Sequence, residues 1–309
     1  MNSKLPEWYF QELEQIQSNF DERQVDLALP RALKLYEQYQ TFDANKLLVH
    51  ALLLNGEDDV AVSYLTDFEH QYQVNTALIT DVLNTLLTHH AFVLGGWQLN
   101  YKLDLQKDDI IETAEQSYQL SNAKKIAGLT RKVSSVGTLA LEEQSVVLKQ
   151  AKYLPLSSYR VAVQLVLQDP DVWQPVKSDV LQTLKLAGGV TGSIIVTGKF
   201  QSTGAVKLAT IPTDIQGPPV FQQIKEVLWK KVGAIDPVQW QIAEKELFLQ
   251  SAYLYPNADQ IIQDPDVWAE LLVQKLRGGE RPVTTDESAE KLLNVQDQLD
   301  QKIHEDLGF

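Results

Sequence analysis

The hexapeptide Gln-Asp-Pro-Asp-Val-Trp occurs twice in the chain, at residues 168–173 and 263–268, and few local structures suit it. Asp169 or Asp264 supplies a carboxylate that accepts a bond from a free backbone N–H at a helix start. The proline fits the first helical position, where a missing N–H costs nothing. Asp171 or Asp266 then sits where the helix dipole favours negative charge, and Val-Trp opens an apolar face. The hexapeptide reads as a helix-starting cassette, with Trp173 and Trp268 as buried anchors. It predicts a protein built from recurring helical units and carries no chemistry of its own.

Helical periodicity continues along the chain. Residues 5–20 form a short helix, and 24–40 another whose start Pro30 draws towards itself. Residues 44–55 and 60–72 form two helices joined by a turn at 56–59. Residues 75–94 form one long helix ended by Gly95 and Gly96, and 107–134 a longer one that Gly137 separates from 141–154. A helix around 159–167 is bracketed by Pro155 and Pro170, and the first cassette launches 170–187, stopped by Gly188 and Gly189. The period then changes. Residues 193–200 and 205–211 are rich in Ile, Val, Thr and Phe and flank a Gln-Ser-Thr-Gly turn signal. They read as a β-hairpin whose Ile194, Val196, Val206 and Leu208 pack on helices, since a lone hairpin is marginal in water. Residues 220–232, 237–255 and 266–277 return to helix.

Residues 280–309 carry eight acids against three bases. Thr284 and Glu287 have capping-box spacing, and Leu292, Val295, Leu299, Ile303 and Leu307 form one apolar stripe. That helix either caps the folded body or docks on another molecule.

In the unit at 44–72, Leu48 and Ala51 precede Gly56, and Ala61 and Leu65 follow it. The pattern resembles a tetratricopeptide repeat, where only a small side chain lets two antiparallel helices approach closely. Further along, Leu139 to Gln144 (Leu-Ala-Leu-Glu-Glu-Gln), the Pro170 to Lys177 segment with Leu181 and Leu184, the hairpin, and the 247–256 segment ending Leu254, Tyr255, Pro256 occur in this order. Together they resemble an uncharacterised Firmicutes family of tetratricopeptide-repeat-like proteins. The resemblance covers most of residues 40–277. It implies a mainly α fold, a tetratricopeptide-like α-solenoid of antiparallel helix pairs with a small inserted β-hairpin near 193–211, and a role in protein interaction. It brings no catalytic residues. The expected organisation is an N-terminal helical array over 1–187, the hairpin insertion over 188–217, a C-terminal helical part over 218–279 and an acidic C-terminal helix over 280–309. The two cassettes lie 95 residues apart, no multiple of the about 34-residue repeat period, so they mark architecture.

A formal charge of −14 disfavours nucleic acid and anionic membrane surfaces, which need basic patches, and leaves a basic partner open. The absence of cysteine excludes disulfides, thiolate metal sites and thiol nucleophiles. The start lacks the basic and apolar regions of a signal peptide, and no apolar run approaches a membrane span, so the expected location is cytoplasmic.

Catalytic signatures fail on spacing. Gly188 to Gly192 and the later Thr197, Gly198 and Lys199 invite comparison with a phosphate-binding loop, which needs a shorter gap and Ser or Thr after its lysine. Five residues separate Gly192 from Gly198, and Phe200 follows Lys199. His89 and His90 are adjacent, so on a helix they point about 100° apart and cannot chelate one metal. His50, His70 and His304 are scattered. Lys124, Lys125, Arg131 and Lys132 form the one notable basic cluster, expected to pair with the acidic body. Trp8, Trp97, Trp173, Trp229, Trp240 and Trp268 are expected mostly in the core, and any exposed along a groove become candidate anchors. The expected function is therefore a non-enzymatic scaffold, without cofactor or metal, that binds a peptide or helix in a concave helical groove. The alternatives are self-association as a homodimer through the C-terminal helix or the hairpin edge, and an enzyme site between helices.

Overall fold

The computed structural model describes residues 5–99, 107–188, 192–197, 204–277 and 287–307, and it is mainly helical with one small antiparallel hairpin. The chain divides into two compact units: residues 1–130 with 150–159, and residues 131–149 with 160–309.

The first unit opens with α1 (Glu7–Asp21), α2 (Val25–Gln38), α3 (Phe42–Leu54) and α4 (Asp58–Leu65). Ala44, Leu48, Ala51 and Ala61 are all buried, and α3 packs on α4. Gly56 ends α3 with φ +77°, a conformation that spares glycine the Cβ clash. Pro30 does not set the start of α2; it lies inside the helix and is exposed, so the Asp26 carbonyl that loses its helical donor is open to water.

The helix expected over 60–72 is broken. After α4 come a 3₁₀ turn (Thr66–Phe68) and α5 (Glu69–Val74). The cause is tertiary. Buried Asn45 on α3 donates through Nδ2 to the Tyr64 carbonyl at 3.0 Å and accepts from the Tyr72 hydroxyl at 2.9 Å. Tyr36 donates to Asp67 at 2.6 Å; burial and that carboxylate push its pKa up to about 12. These bonds hold the Tyr64 carbonyl near the end of α4 and fix Asp67 and Tyr72 beyond it, which bends the chain.

The helix expected over 75–94 is also two: α6 (Thr76–Thr88), capped by Asn75, and α7 (Phe92–Leu99). The break falls at His90, whose φ is +61°. Just before it, His89 Nδ1 lies 2.8 Å from the carboxylate of Asp58, and the Tyr153 hydroxyl donates to the same carboxylate at 3.2 Å. Gly95 and Gly96 lie within α7 and do not end a helix. A Cβ at Gly95 would meet Leu83 at 3.4 Å, an ordinary contact, so the packing of α7 on α6 does not itself demand a glycine there. The chain continues through α8 (Lys107–Ser134), α9 (Leu141–Ala151) and α10 (Leu156–Gln168), and passes between the units within α8.

The second unit continues with α11 (Gln174–Ala187), β1 (Ser193–Val196) and β2 (Gly204–Lys207), with Ile194 opposite Val206. Ile194, Val196 and Leu208 are buried and Ile195 is exposed, the alternation of a half-buried hairpin. Leu208–Thr210 is a 3₁₀ turn, so the second strand ends earlier than 211. Thr197 N–H donates to the Leu167 carbonyl at 2.9 Å, which ties the hairpin to the end of α10. Then follow α12 (Pro219–Leu228), extended by a π-helical turn (Trp229–Gly233), α13 (Pro237–Leu254), α14 (Ala258–Ile261), α15 (Pro265–Leu276) and α16 (Glu287–Leu307). The α16 stripe faces inward: Leu292, Leu299 and Ile303 are buried in one cluster with Trp268. Thr284 of the expected capping box lies outside the described residues.

The two cassettes differ. At the second, Asp264 Oδ1 accepts from Val267 N–H at 3.0 Å, Pro265 opens α15, and Trp268 is fully buried. The first starts no helix. Residues 170–173 form a turn in which Asp169 Oδ1 accepts from Asp171 N–H at 2.9 Å, and α11 begins only at Gln174. In a helix started at Pro170, Pro175 would sit in the interior, lacking an N–H and clashing with the Asp171 carbonyl; α2 bears the same cost at Pro30 on an exposed face, so the proline disfavours the longer helix without forbidding it. The helix that forms carries Pro175 in its first turn. Trp173 is accordingly half-buried, not a core anchor. Gly137 does more than break a helix: a Cβ there would collide with the Asp169 carboxylate.

Removing the Asp58 carboxylate as Asp58→Ala strips two side chains of their acceptor, and urea unfolding should show a loss of about 2–4 kcal/mol. Asp59→Ala, at the part-exposed pair with Lys152, should cost about 0.5 kcal/mol. Equal losses would show that Asp58 ties nothing together. Between the cassettes, Trp268→Phe removes a buried bond and ring volume and should cost about 2–3 kcal/mol. Trp173→Phe should cost about 1 kcal/mol in the same titration.

Candidate partner-binding groove

Within the first unit α1, α3, α5 and α6 leave between them a half-open cavity of about 520 Å³. Its floor comes from the apolar stripes of α3 and α6, whose inner residues are Val49, Leu53 and Val82, together with Tyr72 of α5, all buried. Leu47 and Leu78 flank this floor and are only partly covered. Around them stand Gln17, Lys46, His50, Asp81, Asn84 and Thr85. A desolvated apolar centre inside a polar rim is the anatomy of a protein interface.

The rim groups differ in how free they are. Lys46 pairs with Asp43 at 2.8 Å and lies over the Phe42 ring. The Tyr72 hydroxyl is spent on Asn45, and burial holds its pKa well above the ordinary tyrosine value. His50 meets Phe20 edge to face at 4.7 Å between centroids. Desolvation lowers the His50 pKa below the usual histidine value, and Asp81 across the cavity acts against that shift.

The other residues singled out in the sequence scatter. Among the tryptophans only Trp268 is fully buried within the described side chains; Trp8 is 44% and Trp229 51% exposed. Trp229 and Trp240 meet edge to face at 5.0 Å, and the Trp97 side chain lies outside the described residues. The expectation of a mostly internal set is corrected by the π-helical turn, which turns Trp229 outward, and by the short first helix, which leaves Trp8 at its edge. His89 is engaged by Asp58 and His90 packs on Tyr118 at 4.3 Å between centroids. Lys124, Lys125, Arg131 and Lys132 are exposed on α8. Gly188 ends α11 with φ +70°, while residues 189–191 and 198–200 of the glycine-rich stretch lie outside the described residues. No group of His, Asp and Glu among the described residues could hold a metal ion, and no helix there is long and apolar enough to cross a membrane.

Sequence reasoning passed over the groove residues. His50 looked isolated, and nothing in the sequence singles out Leu47 or Leu78; the stacking of α3 beside α6 puts them on one opening. No protein-family model, curated protein or solved structure matches the chain.

Proposed function

We propose that the protein is a non-enzymatic interaction scaffold, a tetratricopeptide-like array of antiparallel helix pairs whose first unit takes a short segment of a partner protein. The observation that carries this reading is the groove between α3 and α6, with its apolar floor and polar rim. Its size suits one or two apolar anchor side chains from a helix or extended peptide. The free carboxylate of Asp81 at the rim and the formal charge of −14 favour a partner segment with a basic residue next to its apolar anchors. The ionisable groups of the groove support binding over catalysis, because Lys46 and Tyr72 are already engaged within the fold. The C-terminal stripe, the main motive for self-association, is consumed inside the second unit.

The test is affinity capture with the wild-type chain and with a Leu47→Glu, Leu78→Glu double variant. Both leucines are only partly covered, so the variant should stay folded, with a midpoint lowered by a few degrees at most. A stoichiometric partner held by the wild type should bind the variant at least ~100-fold more weakly. Equal capture by both proteins moves the site elsewhere, and a purified chain that turns over a small molecule without any partner refutes the scaffold reading.

A further inference from the structure

Helix α13 is apolar on both sides. Its inner face buries Ala243 and Leu247 in the core of the second unit. Its outer face carries Val238, Ile242, Lys245 and Leu249, which fall within about 60° of one another on the helix. Val238 is 66% and Ile242 52% exposed, and Phe248 at the edge of the face is 55% exposed. Leu249 is only partly covered. Ile235, in the turn just before the helix, is 75% exposed. A surface helix ordinarily turns a polar face to water, and contiguous exposed apolar side chains mark a contact site.

The charges along this face run in a fixed order. Asp236 stands at the start of the helix, where its Oδ1 accepts from the N–H groups of Val238 and Gln239 at 2.9 and 3.1 Å. Its other carboxylate oxygen has no partner among the described residues. Lys245, further along the helix, is exposed and makes no ion pair among the described residues. The acids on either side of it are already engaged: Glu244 pairs with Lys225 at 2.7 Å and Glu246 with Lys275 at 2.9 Å. The face therefore reads as an available acid, an apolar pair and an available base. Such an order is its own complement when run in the opposite direction.

We infer that the outer face of α13 pairs with the same face of a second copy of the chain, antiparallel about a two-fold axis between Val238 and Ile242. Each copy then offers the same patch to the other, as a closed two-fold interface requires. Val238 of one copy meets Ile242 of the other, and Lys245 of each lies beside Ile235 and Asp236 of its counterpart. The two Lys245 positions fall about 15 Å apart along the pair, beyond the ~8 Å Debye length, so their mutual repulsion is screened. An anionic bilayer suits the face less well, because the formal charge of −14 opposes it. A helix pair about 17 Å long is smaller than a standard interface, which places the dimer in the micromolar range. The contact uses no part of the groove in the first unit, so it stands or fails apart from the scaffold reading.

Sedimentation equilibrium of the full chain from ~1 to ~200 µM tests it. The mass should rise with concentration from 34.9 kDa towards twice that value. Ile242→Glu alters a side chain already exposed in the single chain, so its circular dichroism should match the wild type while association weakens at least ~100-fold. Lys245→Glu, which sets like charges beside each other, should weaken association about tenfold, and Lys124→Glu, with the same change in net charge, should leave it intact. The chain has no cysteine, so Gln241→Cys can be joined only to its counterpart. A short bismaleimide should link that variant into dimers, and Lys124→Cys should stay unlinked. The proposal is overturned if the wild type is monomeric at the highest concentration, or if the dimer survives Ile242→Glu or forms without the Gln241→Cys link. It is also overturned if a monomer sediments instead with phosphatidylserine vesicles and Ile242→Glu releases it, which gives the face to lipid.

Discussion

Helix ends are the constraint on which both units depend. Every terminus leaves backbone donors or carbonyls without partners, and a chain of many short helices has many termini to satisfy while it buries its apolar stripes. In the first unit, buried Asn45 meets part of that demand by taking the Tyr64 carbonyl at the end of α4, and buried Asp58 ties the turns together by gathering the side chains of His89 after α6 and Tyr153 before α10. Apolar packing gives the helices their affinity for one another; these directional bonds fix where each one stops.

The second unit solves the same problem with aromatic and amide side chains. Trp268 donates to Gln250 at 3.0 Å, and Gln296 of α16 donates to the Trp268 carbonyl at 3.0 Å. Ser178 of α11 reaches the Ala252 carbonyl near the end of α13 at 2.6 Å. These buried polar groups are paired. Against that background the buried, unbonded Gln144 Oε1 and Gln174 Nε2 stand out, because the same unit satisfies comparable amides elsewhere. The first hexapeptide lies beside them in a turn that forms the wall of a cavity.

Much of the architecture was legible in the residues. The hairpin of α3 and α4 follows from Leu48, Ala51, Gly56 and Ala61, though not its end at Leu65, and the inward face of the β-hairpin follows from the alternation of Ile194 and Val196 with Ile195. Legibility ended where a distant side chain decided the outcome. Periodicity runs unbroken through 75–94 because Leu, Val and Phe keep appearing at helical spacing, yet Asp58 draws His89 aside and the helix breaks there. Gly95 and Gly96 looked like a stop, yet α7 runs through both. The groove was illegible for a simpler reason: Leu47 and Leu78 lie on different helices, and no local pattern records that they share an opening.

By itself the sequence determined the helical class, the hairpin, the Asp264 cap and the exclusion of thiol chemistry, because each rests on interactions within a few residues or on composition. Tertiary structure decided what the repeated hexapeptide becomes. Six identical residues start a buried helix at Asp264 and form an open turn at Asp169. Pro175 disfavours a helix for the first copy, and packing against α9, α13 and α16 makes the turn it adopts the side of a polar cavity. Local chemistry sets which conformations are allowed, and long-range burial selects among them and gives the selected one a surface to present.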